Sequence, residues 1–94
     1  ALILMNDPFV IEQAGKWADA LVGDKRTMEK RIQVIYETAF GRPPTDFELE
    51  RSTKFLKSQA RTYRVAESRL MTDKRVWTDF CHVMFNVKEF IFIR

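Results

Sequence analysis

The chain has one cysteine and one histidine among its 94 residues, with three glycines and three prolines. Each scarcity excludes something. One thiol, Cys81, forms no internal disulfide, and its solitude says little about compartment. A single imidazole, His82, argues against histidine-based acid–base catalysis. So few soft or imidazole ligands argue against a protein-ligated metal, and no metal or other cofactor is assigned. No apolar stretch approaches the roughly 20 residues of a membrane helix, which excludes membrane insertion by such a span. The net charge of +3 lacks the concentration of positive charge that marks nucleic-acid binders, so nucleic acid is not the favoured partner.

What is present is a core-forming composition. The hydrophobic fraction is 46%, with eight Phe and two Trp, and charged residues make up 31%. That balance is globular and helix-friendly rather than disordered. The length fits one domain, spanning residues 1–94. A domain this short buries only part of its unfolded surface, so its stability margin is thin.

Helix punctuation is legible along the chain. Asp7 caps and Pro8 opens a helix predicted over about Pro8 to Val22, with Val10, Ala14, Trp17, Ala18 and Leu21 on one face and Gly23 as the stop. Thr27 caps a second, whose stripe is Met28, Ile32, Ile35, Tyr36 and Ala39. It ends at Phe40-Gly41, because Arg42-Pro43-Pro44 cannot continue it. Thr45-Asp46-Phe47-Glu48 reads as a capping box opening a third helix. Leu49, Leu56, Ala60 and Tyr63 lie on its inner face, and its end falls between Ala60 and Leu70. Thr72 or Asp73 starts a fourth, with Trp77, Phe80, Cys81 and Met84 inward and Val83 and Phe85 widening the stripe. Asn86 is expected to end it. Phe90-Ile91-Phe92-Ile93 and Leu2 to Met5 both read as extended. The expected fold is therefore an all-α, compact bundle of about four helices with short extended N- and C-terminal ends.

Both ends are apolar, which suggests a C-terminal fragment of a larger protein whose ends meet each other or a missing neighbour. The expected partner is the remainder of that protein, another protein contacted through the apolar termini, or a second copy. The first residues lack the basic region and cleavage site of a secretory signal. Because the chain starts at Ala1 rather than Met, an upstream targeting signal stays open.

Several stretches carry a family resemblance. They are Ala1-Leu2-Ile3-Leu4-Met5-Asn6-Asp7-Pro8-Phe9-Val10, Glu12-Gln13-Ala14, Ile35-Tyr36, Gly41-Arg42-Pro43-Pro44-Thr45, Trp77 to Asn86, and Glu89-Phe90. Together they resemble the C-terminal end of the planctomycete-type PSD-one family, a domain of unknown function numbered fifteen fifty-three. The resemblance implies a large exported bacterial protein, periplasmic or at the cell surface, carrying this domain at its C-terminus and commonly a c-type cytochrome-like module at its N-terminus. It implies no catalytic residue.

Each candidate site has a plainer reading. Cys81-His82 lacks the first thiol of a Cys-x-x-Cys-His haem attachment, since Thr78 stands there. It reads as a core thiol beside a partly buried imidazole. Asp73, Asp79 and His82 form an imaginable acid–base group, but Asp79 and His82, three apart, read as a helix-surface contact. Arg51, Lys54, Lys57, Arg61 and Arg64, extended by Arg69, Lys74 and Arg75, form a basic band. It reads as a solvated face partly neutralised by Glu48, Glu50 and Glu67, without aromatics interleaved for base stacking. Trp17, Tyr36 and Trp77 read as core rather than a sugar groove. Asn6, Glu12 and Gln13 lie where an anion can meet free helix N–H groups, but capping explains Asn6 and Asp7 more simply.

The expectation is a non-enzymatic structural or interaction domain with no catalytic, cofactor-binding or metal residue. The alternatives are part of an enzyme, perhaps acting on polysaccharide, whose active site lies upstream, and a weakly basic nucleic-acid-binding helical domain.

Overall fold

The computed structural model describes the backbone of residues 7–93 and the side chains of residues 7–87. The order is α1 (Pro8–Val22), α2 (Met28–Phe40), α3 (Asp46–Thr62), a 3₁₀ segment (Glu67–Thr72) and α4 (Lys74–Ile93). This is an all-α bundle, without strands among the described residues. α4 is its hub: α1 packs most extensively along it, and α2 and α3 also rest on it. Gln59 and Tyr63 bond Asp79 and Phe55 meets Phe80, so α3 crosses α4 at its Asp79–Phe80 turn.

The caps form as the sequence predicts. The Asp7 carboxylate accepts the Phe9 N–H at 2.9 Å, and Thr27 Oγ1 accepts the Lys30 N–H at 3.2 Å. At α3 both halves of the capping box are present: Thr45 Oγ1 accepts the Glu48 N–H at 3.1 Å, and Glu48 Oε1 accepts the Thr45 N–H at 2.9 Å. Arg42 adds a two-pronged pair to the same carboxylate, at 2.7 and 3.0 Å. Asp73 starts α4 by accepting the Arg75 and Val76 N–H groups.

The C-terminal stops differ from one another. Gly41 ends α2 in the left-handed conformation (φ 70°), where a side chain is disfavoured. α1 also stops at Gly23, but there the backbone stays right-handed (φ −84°). α3 ends in a Schellman motif: Arg64 N–H donates to Arg61 C=O at 3.0 Å and Val65 N–H to Ala60 C=O at 2.7 Å. Its left-handed position is held by Arg64 (φ 58°) instead of glycine.

The core follows the predicted stripes. Ala14, Ala18, Ile32, Ile35, Leu56, Trp77 and Cys81 are fully or almost fully buried, joined by Leu21, Tyr36, Ala60, Phe80 and Met84. Each large apolar side chain so placed contributes about 1.5–3 kcal/mol. Trp77 is fully buried, and its indole N–H donates to Leu70 C=O at 2.9 Å. That bond anchors the 3₁₀ segment, which supplies the core residue Leu70.

One buried residue is charged. Arg31 is 1% exposed. Its guanidinium donates to the backbone carbonyls of Met71 (2.6 Å) and Asp24, and lies 4.5 Å over the Trp77 ring. It ties α2 to the loop before it and to the 3₁₀ segment. Burial lowers its pKa from the ordinary arginine value.

The expected extended C-terminal end is corrected. α4 runs on through Asn86 to Ile93. Asn86 is buried, and its Nδ2 donates to His82 C=O one turn back at 2.8 Å, so it joins the helix rather than ending it. Neither Gly nor Pro follows to break the helix. The predicted extended run Leu2 to Met5 lies outside the described residues.

Candidate interaction surface

Three large apolar side chains stand exposed among the described residues: Phe9 and Phe47 at 66% and Ile11 at 44%. Phe9 and Ile11 belong to the first turn of α1. Phe47 belongs to the first turn of α3 and borders a groove of about 460 Å³ between α3, α4 and the end of α2.

The groove comes from helical spacing. On α3, Phe47, Arg51 and Phe55 recur every four residues and share a face. On α4, Phe80, Val83, Met84 and Val87 recur at three and four and form the opposite wall. Tyr36 and Phe40 from the last turns of α2 contribute to the lining, with their rings 5.5 Å apart. The polar groups in this lining are largely engaged. Tyr36 Oη and Ser52 Oγ bond each other at 3.3 Å. Arg42 is paired with Glu48, which holds the Glu48 carboxyl down at about 2. Arg51 lies 5.6 Å over the Phe47 ring and makes no ion pair among the described residues. The groove is thus apolar, with an available cation on its rim.

A second, smaller hollow of about 170 Å³ lies between α1, α2 and α4, lined by Trp17, Thr38, Ala39, Met84 and Phe85. Trp17 meets Phe85 edge-on at 5.5 Å. Trp17, Tyr36 and Trp77 do not line one groove: Trp17 borders this hollow, Tyr36 borders the larger one, and Trp77 is core.

The candidate chemical groups are dispersed. Cys81 is fully buried, and burial pushes its thiol up to about 12, far from the range of a reactive thiolate. Asp79 accepts Gln59 Nε2 at 2.8 Å and Tyr63 Oη at 2.6 Å, which raises the pKa of the phenol. Asp73 is spent on capping and on Arg75 at 2.9 Å, which lowers its pKa. Asp73 and Asp79 therefore serve separate local structures, one at the start of α4 and one between α3 and α4. No group of three or more His, Cys, Asp or Glu residues is placed to hold a metal among the described residues. No helix there is long and apolar enough to cross a membrane.

The basic band is exposed throughout and partly neutralised. Lys54 pairs with Glu50, Lys74 with Asp19 and Arg75 with Asp73. Arg75 also lies 4.9 Å over the Tyr63 ring. Glu48 binds Arg42 instead of a member of the band. At the start of α1, Asp7 caps, and Glu12 pairs with Lys16 at 3.4 Å. Asn6 lies outside the described residues.

The sequence reading did not pick out the groove. In the sequence Phe47 reads as part of the capping box and Arg51 as part of the basic band. The available signal was a second stripe on α3, at 47, 51 and 55, set apart from the inner face at 49, 56, 60 and 63.

The sequence model of the PSD1 family, described as "Protein of unknown function (DUF1553)", matches residues 1–56, more than half of the chain. The chain belongs to the PSD1 family. The matched span ends within α3, so it includes Phe9, Ile11, Phe47, Arg51 and Phe55, while α4 lies beyond it. The Trp77–Asn86 stretch that contributed to the sequence resemblance is also outside the match. No curated protein and no solved structure matches the chain. The family description brings no activity with it, so the function of this PSD1 chain is unknown.

Proposed function

We propose that this PSD1 chain is a non-enzymatic helical packing module. In this reading it docks onto the rest of a larger protein, or onto a protein partner, through apolar surface held on a stable frame. The observation that carries the reading is the exposure of Phe9 and Ile11 on α1. They continue the apolar sequence that begins at Leu2. Two large apolar side chains exposed within one helical turn leave apolar surface on more than one side of it, and such surface marks contacts. The nucleic-acid alternative draws little support from a basic band whose Lys54, Lys74 and Arg75 already have carboxylate partners.

The test is site-specific photo-cross-linking. A benzoylphenylalanine replaces Phe9 in the protein expressed at its natural length in its own cell, and cross-linked peptides are identified by mass spectrometry. The reading predicts one dominant product joining position 9 to a segment outside residues 1–94, in the same protein or in a different one. Products confined to residues 1–94, or no product, would overturn it.

A further inference from the structure

The groove between α3 and α4 has a chemistry of its own, separate from the exposed turn at Phe9. Its α3 wall presents Phe47, Arg51 and Phe55, and its α4 wall Val83 and Val87, backed by the buried Phe80. From Phe47 to Phe55 this wall runs about 12 Å, or roughly two helical turns. Two packed helices with an apolar trough between them form the receptor geometry for a third, amphipathic helix, whose anchors fall at i, i+3 or i+4, and i+7.

Two details narrow the occupant. A small polar ligand needs convergent polar groups to orient it. Here Tyr36 Oη and Ser52 Oγ are bonded to each other, and Arg42 is held by Glu48. The remaining rim charge is Arg51. It rests against the exposed Phe47 ring and has no carboxylate partner among the described residues. An occupant that covers the apolar trough brings its own flank over this guanidinium. A carboxylate there gains a charge-assisted contact, and an ammonium meets a like charge.

We infer that the α3–α4 groove receives about two turns of an amphipathic helix from a protein partner, with its apolar face in the trough and a Glu or Asp against Arg51. This rests on the reading of the chain as a packing module and adds the chemistry of one partner element.

Two synthetic helical peptides test it. They share one Leu face and differ in carrying Glu or Lys at the flanking positions. Each is titrated into the isotope-labelled 94-residue chain, and amide shifts are followed by NMR. The Glu peptide is expected to move amides of residues 47–55 and 80–87 and to bind about fivefold more tightly than the Lys peptide. Arg51→Glu should reverse that order, and Phe47→Ala should weaken both peptides. Both positions are exposed, and an unchanged circular dichroism melt verifies each fold. The inference is overturned if neither peptide binds, if the shifts map elsewhere, or if Arg51→Glu leaves the preference intact. It is also overturned if the same amides shift with protein concentration alone, which would make the occupant a second copy. None of these results bears on cross-linking at position 9, so a failed groove and a failed packing module are distinguishable.

Discussion

Replacing Arg31 tests whether a buried cation with no carboxylate bonded to it stabilises this fold. Its acceptors are the Met71 and Asp24 carbonyls, and its neighbour is the Trp77 ring. A hydrogen bond from a charged donor contributes about 1.5–3 kcal/mol, and a desolvated cation over an indole up to about 2 kcal/mol. Against these stands the cost of taking a guanidinium out of water, which Arg31→Ala recovers. The two carbonyls remain behind and lose their donor, and the aliphatic stem leaves a void. The net loss for Arg31→Ala is about 3 kcal/mol. A domain of this size has roughly 5–14 kcal/mol in all. Arg31→Met fills the volume and removes the charge but still orphans both carbonyls, so it should cost about 2 kcal/mol. Where a whole buried ion pair is exchanged for apolar residues, both partners leave and the change is often neutral. Here the acceptors are backbone and cannot leave. Urea denaturation followed by circular dichroism measures both variants. A loss below about 1 kcal/mol for Arg31→Ala, or an Arg31→Met variant as stable as the parent, refutes the reasoning.

Three further outcomes are expected. The carboxyls of Glu48 and Asp24 are both held at about 2, Glu48 chiefly by Arg42 and Asp24 chiefly by Arg26. Because these folded values lie below the unfolded ones, the stability they contribute is present above about pH 4.5 and is lost as pH falls toward 2. Glu48→Gln should flatten that acid limb and cost about 1 kcal/mol at neutral pH, measured by melts across pH. Arg64→Gly should stabilise by about 0.5–1 kcal/mol, since it frees the left-handed position of the Schellman motif from side-chain strain; a loss in urea denaturation contradicts this. Cys81 should resist alkylation in the native state and react on denaturation, so rapid labelling of the folded chain by a thiol reagent would contradict its burial in the core.

The frame was largely legible in the sequence because its signals are local. Asp7-Pro8, Thr27, Gly41 and the Thr45–Glu48 box are short-range hydrogen-bonding or backbone devices, and apolar spacing identified the faces they introduce. What escaped depends on partners distant in sequence. Arg31 looks like a solvent residue until Met71, 40 positions away, supplies a carbonyl. Asn86 suggested a helix end because asparagine tolerates the left-handed region, but its buried amide bonds one turn back within α4. The 3₁₀ segment was missed because its anchor is the indole of Trp77 rather than a cap. The groove needed two helices brought side by side before Phe47 and Phe55 became one wall facing another.

If Phe9, Ile11 and Phe47 are exposed for contacts outside the fold, the fold does not depend on them. The direct measurement is the thermal melt of a Phe9→Ser, Ile11→Ser, Phe47→Ser triple variant beside the parent chain, followed by circular dichroism. Exposed positions that contribute little to the fold should leave the midpoint within about 3 °C of the parent, with helicity unchanged. A drop of about 10 °C or more would mean that these side chains stabilise the chain itself, contradicting a packing module whose apolar surface is kept for a partner.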